Sequence, residues 1–237
     1  MQFGDLSSEE SNSILTWKNI IDWGQTHYRD RTFRKDEEIP TRPQLIYLVN
    51  QGVVRLESQT KDRYESDSLD ELDELEDTEE IESAFLGFIG ARKPFEIVSQ
   101  STFSLHAYAH VDDTQVVWLY WQDLENWPNF RQEIYDAFRY QHQRKLLWLS
   151  ALGQRRTIDR LTSFLTLLIE EYGDKDRQEY CLPYTLTHAQ IGSAIGSTRV
   201  TVTRLMGKLR RQGIISVKND NSICINTLET ISQNSLK

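Results

Sequence analysis

Residues 187–213, THAQIGSAIGSTRVTVTRLMGKLRRQG, leave the chain little freedom. Thr187 is followed three residues later by Gln190, the capping-box spacing in which each side chain satisfies a backbone amide at a helix start. Gly196 stops that helix, Ser197 is placed to cap a second one, and the second run continues to about Gln212, before Gly213. Two short helices joined by a tight glycine-containing turn make a helix-turn-helix. In the second helix, three-to-four spacing puts Val202, Leu205 and Leu209 on one face to pack inward, and Arg199, Val200, Thr203 and Arg204 on another. "IISV", then Lys218 to Asn221, then "SICI" follow as a small β-hairpin wing.

Five of the eighteen residues from Gly196 to Gly213 are basic, in a chain of 237 residues whose formal net charge is −9. The acidity is unevenly spread: residues 1–152 hold 15 Lys and Arg against 28 Asp and Glu, and residues 153–237 hold 12 against 8. A basic module on an acidic body is a footprint of nucleic-acid binding, because phosphate neutralisation needs cations on one surface. The first turns of a recognition helix enter the major groove. There Arg199 and Arg204 can each donate two hydrogen bonds to guanine, Val200 can touch a thymine methyl, and Thr203 shares their side. Thr187, Ser197, Thr198, Thr201, Lys208 and Lys218 suit phosphate oxygens, which fix register without reading sequence.

Upstream, the pattern is of strands. "QLIYLVNQGVVRLES" (Gln44 to Ser58) reads as two β runs turned by Asn50-Gln51-Gly52, a hairpin signal. Strand character returns from Phe85 to Tyr120, and a short helix is expected over Ile14 to Trp23. Between the strand regions, residues 65–82 carry eleven acids and no Lys or Arg. Such a block is a solvated segment, or a phosphate mimic shielding the basic module. After Trp127-Pro128-Asn129, the run Phe130 to Leu152 has no Pro or Gly and carries Ile134, Phe138, Leu146 and Leu149 at mostly three-to-four spacing. It reads as a long helix whose apolar stripe serves as core or as a dimer seam. Another helix follows from about Thr157 to Tyr172, stopped by Gly173.

"IGSTRVTVTRL" and "RLTSFLTLLIEEYG" resemble the DNA-binding domain of the CRP/FNR superfamily, most of all its cyanobacterial nitrogen-control (NtcA) branch. The likeness is strong over about 155–217 and weaker upstream, where "IPTRPQLIYLVNQGVVRLES" resembles the β-roll signature. The resemblance implies an α+β fold: a β-roll or jelly-roll sensor (1–128, with an acidic insertion at about 61–82), a dimerisation helix (129–152) and a winged helix-turn-helix (153–237). It also implies a homodimer that binds double-stranded DNA at a palindrome with GTA and TAC halves, contacted by Arg199, Val200 and Arg204. Such a protein acts at promoters, as an activator or a repressor, with RNA polymerase as a further partner.

The sensor departs from its relatives. The stretch "AFLGFIGARKPFEIVSQSTF" has neither the Phe-Gly-Glu nor the Arg-Ser or Arg-Thr of cyclic-nucleotide binders, so cyclic AMP is not expected. The dicarboxylate-binding Arg and Glu of the nitrogen branch align with Gln141 and Leu146. The candidates left for an unidentified effector are Phe85, Leu86, Gly87, Arg139, Arg144 and Lys145. An alternative is control by a protein partner through the acidic block. A cupin-type metalloenzyme would need more than His106 and His110, four apart in a strand, so no metal and no catalytic residue is expected. No cofactor is expected either, since an iron–sulfur cluster of the FNR type lacks its cysteines. Cys181 and Cys224 are too few for a disulfide framework, and with no secretory signal or membrane-length apolar run the expected setting is a reducing cytoplasm.

Overall fold

The computed structural model of the chain describes residues 17–60, 83–98, 103–176 and 179–225. The acidic block lies outside them. The first helix, α1, is described over 17–26. Seven strands follow: β1 (Asp30–Phe33), β2 (Leu45–Gln51), β3 (Val53–Thr60), β4 (Ser83–Gly90), β5 (Lys93–Phe95), β6 (Phe103–Ala109) and β7 (Thr114–Tyr120). They form two antiparallel sheets in the orders β1-β7-β2-β5 and β4-β3-β6. The sheets enclose Phe33, Tyr47, Val49, Val54, Ile89, Phe95 and Val116.

The Asn50-Gln51-Gly52 turn does not make the expected hairpin, because β2 and β3 belong to different sheets. The reason is burial on both faces. Tyr47 and Val49 point between the sheets, whereas Ile46 and Leu48 pack outward with Trp17, Ile20, Phe130 and Ile134. A strand covered on two sides reads as a continuous apolar run, and the turn after it carries the chain across the sandwich. Gly52 is required there: its φ is +79°, and a Cβ would meet Thr114 Oγ1 at 2.5 Å.

Helix α2 (Pro128–Leu152) begins with its proline in the first turn, where the missing N–H costs nothing. The apolar residues read as one stripe divide between two faces. Ile134 is buried and Phe138 half-buried against the roll, while Leu146 and Leu149 are 52% and 64% exposed. Then come α3 (Thr157–Tyr172), β8 (Asp174–Asp176), β9 (Glu179–Cys181), α4 (His188–Ile195), α5 (Arg199–Arg211), β10 (Ile215–Val217) and β11 (Ile223–Ile225). The wing is present as expected and is widened by a second hairpin, giving the sheet order β10-β11-β9-β8. Leu161, Leu165, Ile191, Ile195, Val202, Met206 and Leu209 form one apolar cluster with Val53, Phe85 and Phe88 of the roll. Among the described residues, no helix is long and apolar enough to cross a membrane.

Candidate nucleic-acid interface

The caps of α4 form as the spacing predicts. Thr187 Oγ1 accepts from the Gln190 N–H at 3.1 Å, and Gln190 Oε1 accepts from the Thr187 N–H at 3.0 Å. Gly196 ends the helix in the left-handed conformation, φ +62°. Gly192, not singled out in the sequence, is what lets the turn close: a Cβ there would meet the Ser197 carbonyl at 2.6 Å. The cap of α5 is Thr198 rather than Ser197. Its hydroxyl accepts from the Thr201 N–H at 3.2 Å, one residue later than expected because the left-handed Gly196 turns the chain before Ser197 enters the helix register.

The inward face of α5 is Val202, Met206 and Leu209, with Leu205 half-buried. Arg199, Val200, Thr203 and Arg204 are exposed, Val200 to 78%. A valine this exposed at the first turn of a helix has no apolar partner to pack on among the described residues. Thr203 is positioned by two contacts: its hydroxyl donates to the Arg199 carbonyl at 2.9 Å and lies 2.8 Å from His188 Nδ1. That orientation turns the hydroxyl toward the protein. Lys208 is exposed, and Lys218 is ion-paired with Asp176 of β8.

Arg160 is a positioning residue that spacing alone does not disclose. Its guanidinium donates to the carbonyls of Ile195 at 3.0 Å and Gln154 at 3.1 Å, and to Thr157 Oγ1 at 3.2 Å. A cation is thereby placed on the C-terminal carbonyls of α4, where the helix dipole favours it. Glu171 is another. Its carboxylate, almost fully buried, accepts from Lys93 of β5 at 2.8 Å and from Arg144 of α2 at 3.1 Å. It therefore ties the roll, the long helix and α3 together.

Several of the residues considered for an effector make contacts within the chain. Arg144 reaches Glu170, Glu171 and the Leu167 carbonyl. Lys145 donates to the Leu86 carbonyl beside Gly87, and desolvation lowers its pKa. Arg139 is exposed and pairs with Asp136 at 3.0 Å. Phe85 is core, and its N–H donates to Ser193 Oγ of α4 at 3.2 Å. His106 and His110 do not converge: His106 meets Glu38 at 2.8 Å, whereas His110 is buried between Arg55 and the Thr185 carbonyl.

Residues 159–233 match the Crp-like helix-turn-helix domain. Over 71 residues the chain is 41% identical to the global nitrogen regulator of Nostoc sp. and 39% identical to that of Synechococcus elongatus. The match spans 30% of this chain and 32% of each relative, about a third of the length of these curated regulators. Structural likeness extends much further. A CRP-family transcriptional regulator from Thermus thermophilus superposes with a TM-score of 0.63 at 18% identity, covering 87% of this chain and 97% of that one. A CooA variant from Carboxydothermus hydrogenoformans gives 0.63 at 19% identity, covering 87% of both. The fold is therefore that seen in CRP-family regulators: a β-sandwich, a long helix and a winged helix-turn-helix.

Proposed function

We propose that the chain is a sequence-specific DNA-binding transcription regulator acting as a homodimer, with Arg199, Val200, Thr203 and Arg204 toward the bases. The observation that carries this reading is the exposed first half of α5, where two arginines and a valine project from a helix whose other face is fully committed to the core. Thr187, Ser197, Thr198, Thr201, Lys208 and Lys218 take phosphate roles. Lys218 exchanges Asp176 for a phosphate, and the Thr187 and Thr198 hydroxyls accept from backbone amides as they cap their helices. Likeness to global nitrogen regulators in this domain supports GTA and TAC half-sites.

Residues 129–152 supply the dimer helix between a sensor at 1–128 and the DNA-binding unit at 153–237. Two copies then present their α5 helices roughly 34 Å apart, one turn of DNA. RNA polymerase is the expected further partner, promoter regulation the expected outcome, and the cytoplasm the expected setting. Control by a protein partner is the second reading. It is favoured by Arg144 and Lys145, whose cationic groups are spent on internal acceptors.

The deciding experiment is a fluorescence-anisotropy titration of a GTA/TAC palindrome against a scrambled duplex at fixed salt, with and without 2-oxoglutarate. Preference for the palindrome supports the base assignment, and its loss on scrambling at equal charge separates base reading from phosphate attraction. Equal affinity for both duplexes would overturn the half-site. A metabolite that changes neither curve leaves the protein-partner reading in place.

A further inference from the structure

Cys181 and Cys224 are the chain's two cysteines, and they are bonded to each other. Register accounts for the encounter. Strands β9 and β11 pair antiparallel with Cys181 directly opposite Cys224, their Cα atoms 4.0 Å apart. The Leu182 N–H donates to the Ile223 carbonyl one step along, which makes the cysteines a non-hydrogen-bonded pair, the kind whose side chains approach most closely. Sheet pairing alone therefore brings the sulfurs together. The bond closes a loop with a sequence separation of 43. Every residue assigned to DNA, from Thr187 to Lys218, lies inside it.

The wing strand β11 is short: three paired positions with β10 and two with β9, with Ile223 and Ile225 packed into the apolar cluster, so its register is the part the Cys181–Cys224 bond adds to. A DNA-binding regulator works where thiols are kept reduced, and a disulfide in such a compartment is characteristically transient and redox-sensing. On the DNA-binding reading above, we propose that Cys181–Cys224 is a reversible thiol–disulfide exchange site whose oxidised form fixes the wing for DNA. Its oxidant is a low-molecular-mass disulfide and its reductant a dithiol.

The exchange balances in two steps. The Cys181 thiolate, formed by loss of the thiol proton, attacks one sulfur of the small disulfide and expels the other as a thiolate. The Cys224 thiolate then attacks Cys181 Sγ and expels the second. Two protein thiols are oxidised, one small disulfide is reduced to two thiols, and a dithiol reverses the sequence. Cys181 is the exchanging sulfur because it retains 7% exposure whereas Cys224 has none.

The test uses the full chain oxidised with glutathione disulfide or reduced with dithiothreitol. Alkylation of the unprotected thiols, counted by mass, reads the redox state across a series of glutathione buffers. Amide exchange over 215–225 and anisotropy with the palindrome read the consequence. Each lost phosphate contact is worth about fivefold at ~0.15 M salt, from a log–log slope of ~0.9 per phosphate. The reduced dimer is expected to bind at least fivefold more weakly, with faster exchange in the wing. A Cys181→Ser, Cys224→Ser double variant should match it and ignore the oxidant; the comparison within the unaltered chain stands if that variant does not fold.

Wing exchange and DNA affinity identical in the two states would overturn the proposal. So would thiols that no glutathione buffer oxidises, or a stoichiometric zinc ion retained by the reduced protein at Glu179, Cys181 and Cys224. If neither state prefers the palindrome, the base assignment fails by itself, and wing exchange still decides the redox site.

Discussion

His110 Nε2 lies 2.9 Å from the Thr185 carbonyl, so a histidine at the end of β6 is hydrogen-bonded to the segment that leads into α4. Its Nδ1 is 3.3 Å from an Arg55 guanidinium nitrogen. A guanidinium only donates, so Nδ1 accepts, Nε2 carries the proton, and the ring is neutral. Burial, then the charge of Arg55, lowers its pKa to about 4; the hydrogen bond to the Thr185 carbonyl and the charge of Asp36 oppose the trend, and Lys35 reinforces it.

The depressed pKa fixes the sign of a pH effect. Above the unfolded value of about 6.5, neither state holds the extra proton and the contact is intact. Below it, the unfolded chain binds a proton that the folded chain refuses, so stability falls until the folded ring titrates near pH 4. The loss amounts to at most about 3 kcal/mol, by 1.36 kcal/mol per unit. Urea unfolding between these pH values should show the decline, and a His110→Gln variant should flatten it. An NMR titration placing the ring's pKa near 6.5 would remove the basis for both.

Arg160 yields a prediction about geometry. Arg160→Ala leaves the Ile195 and Gln154 carbonyls without their donor. Hydrogen bonds to charged groups are worth about 1.5–3 kcal/mol, so unfolding free energy should drop by that amount. Palindrome affinity should fall too, because the α4–α5 turn loses its anchor. Arg160→Lys, with one ammonium to serve acceptors that a fork spans, should recover less than half of the loss. Chemical denaturation of the three proteins is the check.

Local and distant information in the sequence fared differently. The capping box at Thr187, the stop at Gly196 and the exposed side of α5 were legible because each depends on residues within four positions of one another. The path after Gly52 was not, since its destination depends on α1 and α2 covering the outer face of β2. Glu171 gave no signal either: Lys93 is 78 positions away from it, and the carboxylate looks like any surface acid until the fold buries it. The cysteine pair belongs to the same class. Its meeting depends on the register of two three-residue strands.

Among the residues proposed to meet DNA, the roles should separate by specificity. Arg199→Ala should weaken palindrome binding by about 1–3 kcal/mol and relax selectivity at one base pair, while Lys208→Ala should weaken all duplexes alike and lower the salt slope by about 1. His188→Ala should act through Thr203. His188 is assigned no base, yet its loss releases the Thr203 hydroxyl, and the effect should vanish in a Thr203→Val background. A double-mutant cycle on palindrome affinity measures that coupling, and additivity of the two losses would show that the contact is idle.

The outward face of α2 supports the last prediction. Tyr135, Arg139, His142, Leu146 and Leu149 are all exposed and recur at alternating four- and three-residue steps, the spacing of a two-helix seam. Ile134, one residue from Tyr135, is buried against the roll, so seam and core can be perturbed separately. Leu146→Glu should leave the protomer's unfolding within ~0.5 kcal/mol of the parent at concentrations where both are monomeric, as a surface substitution does. It should nevertheless convert a dimer into a monomer in sedimentation equilibrium, because two carboxylates would meet across the two-fold axis. Palindrome affinity should then fall by about a hundredfold or more, the gain lost when two half-sites are no longer bound by one linked pair. Single half-site binding should change little. A Leu146→Glu protein that remains dimeric would move the seam to another face of the molecule.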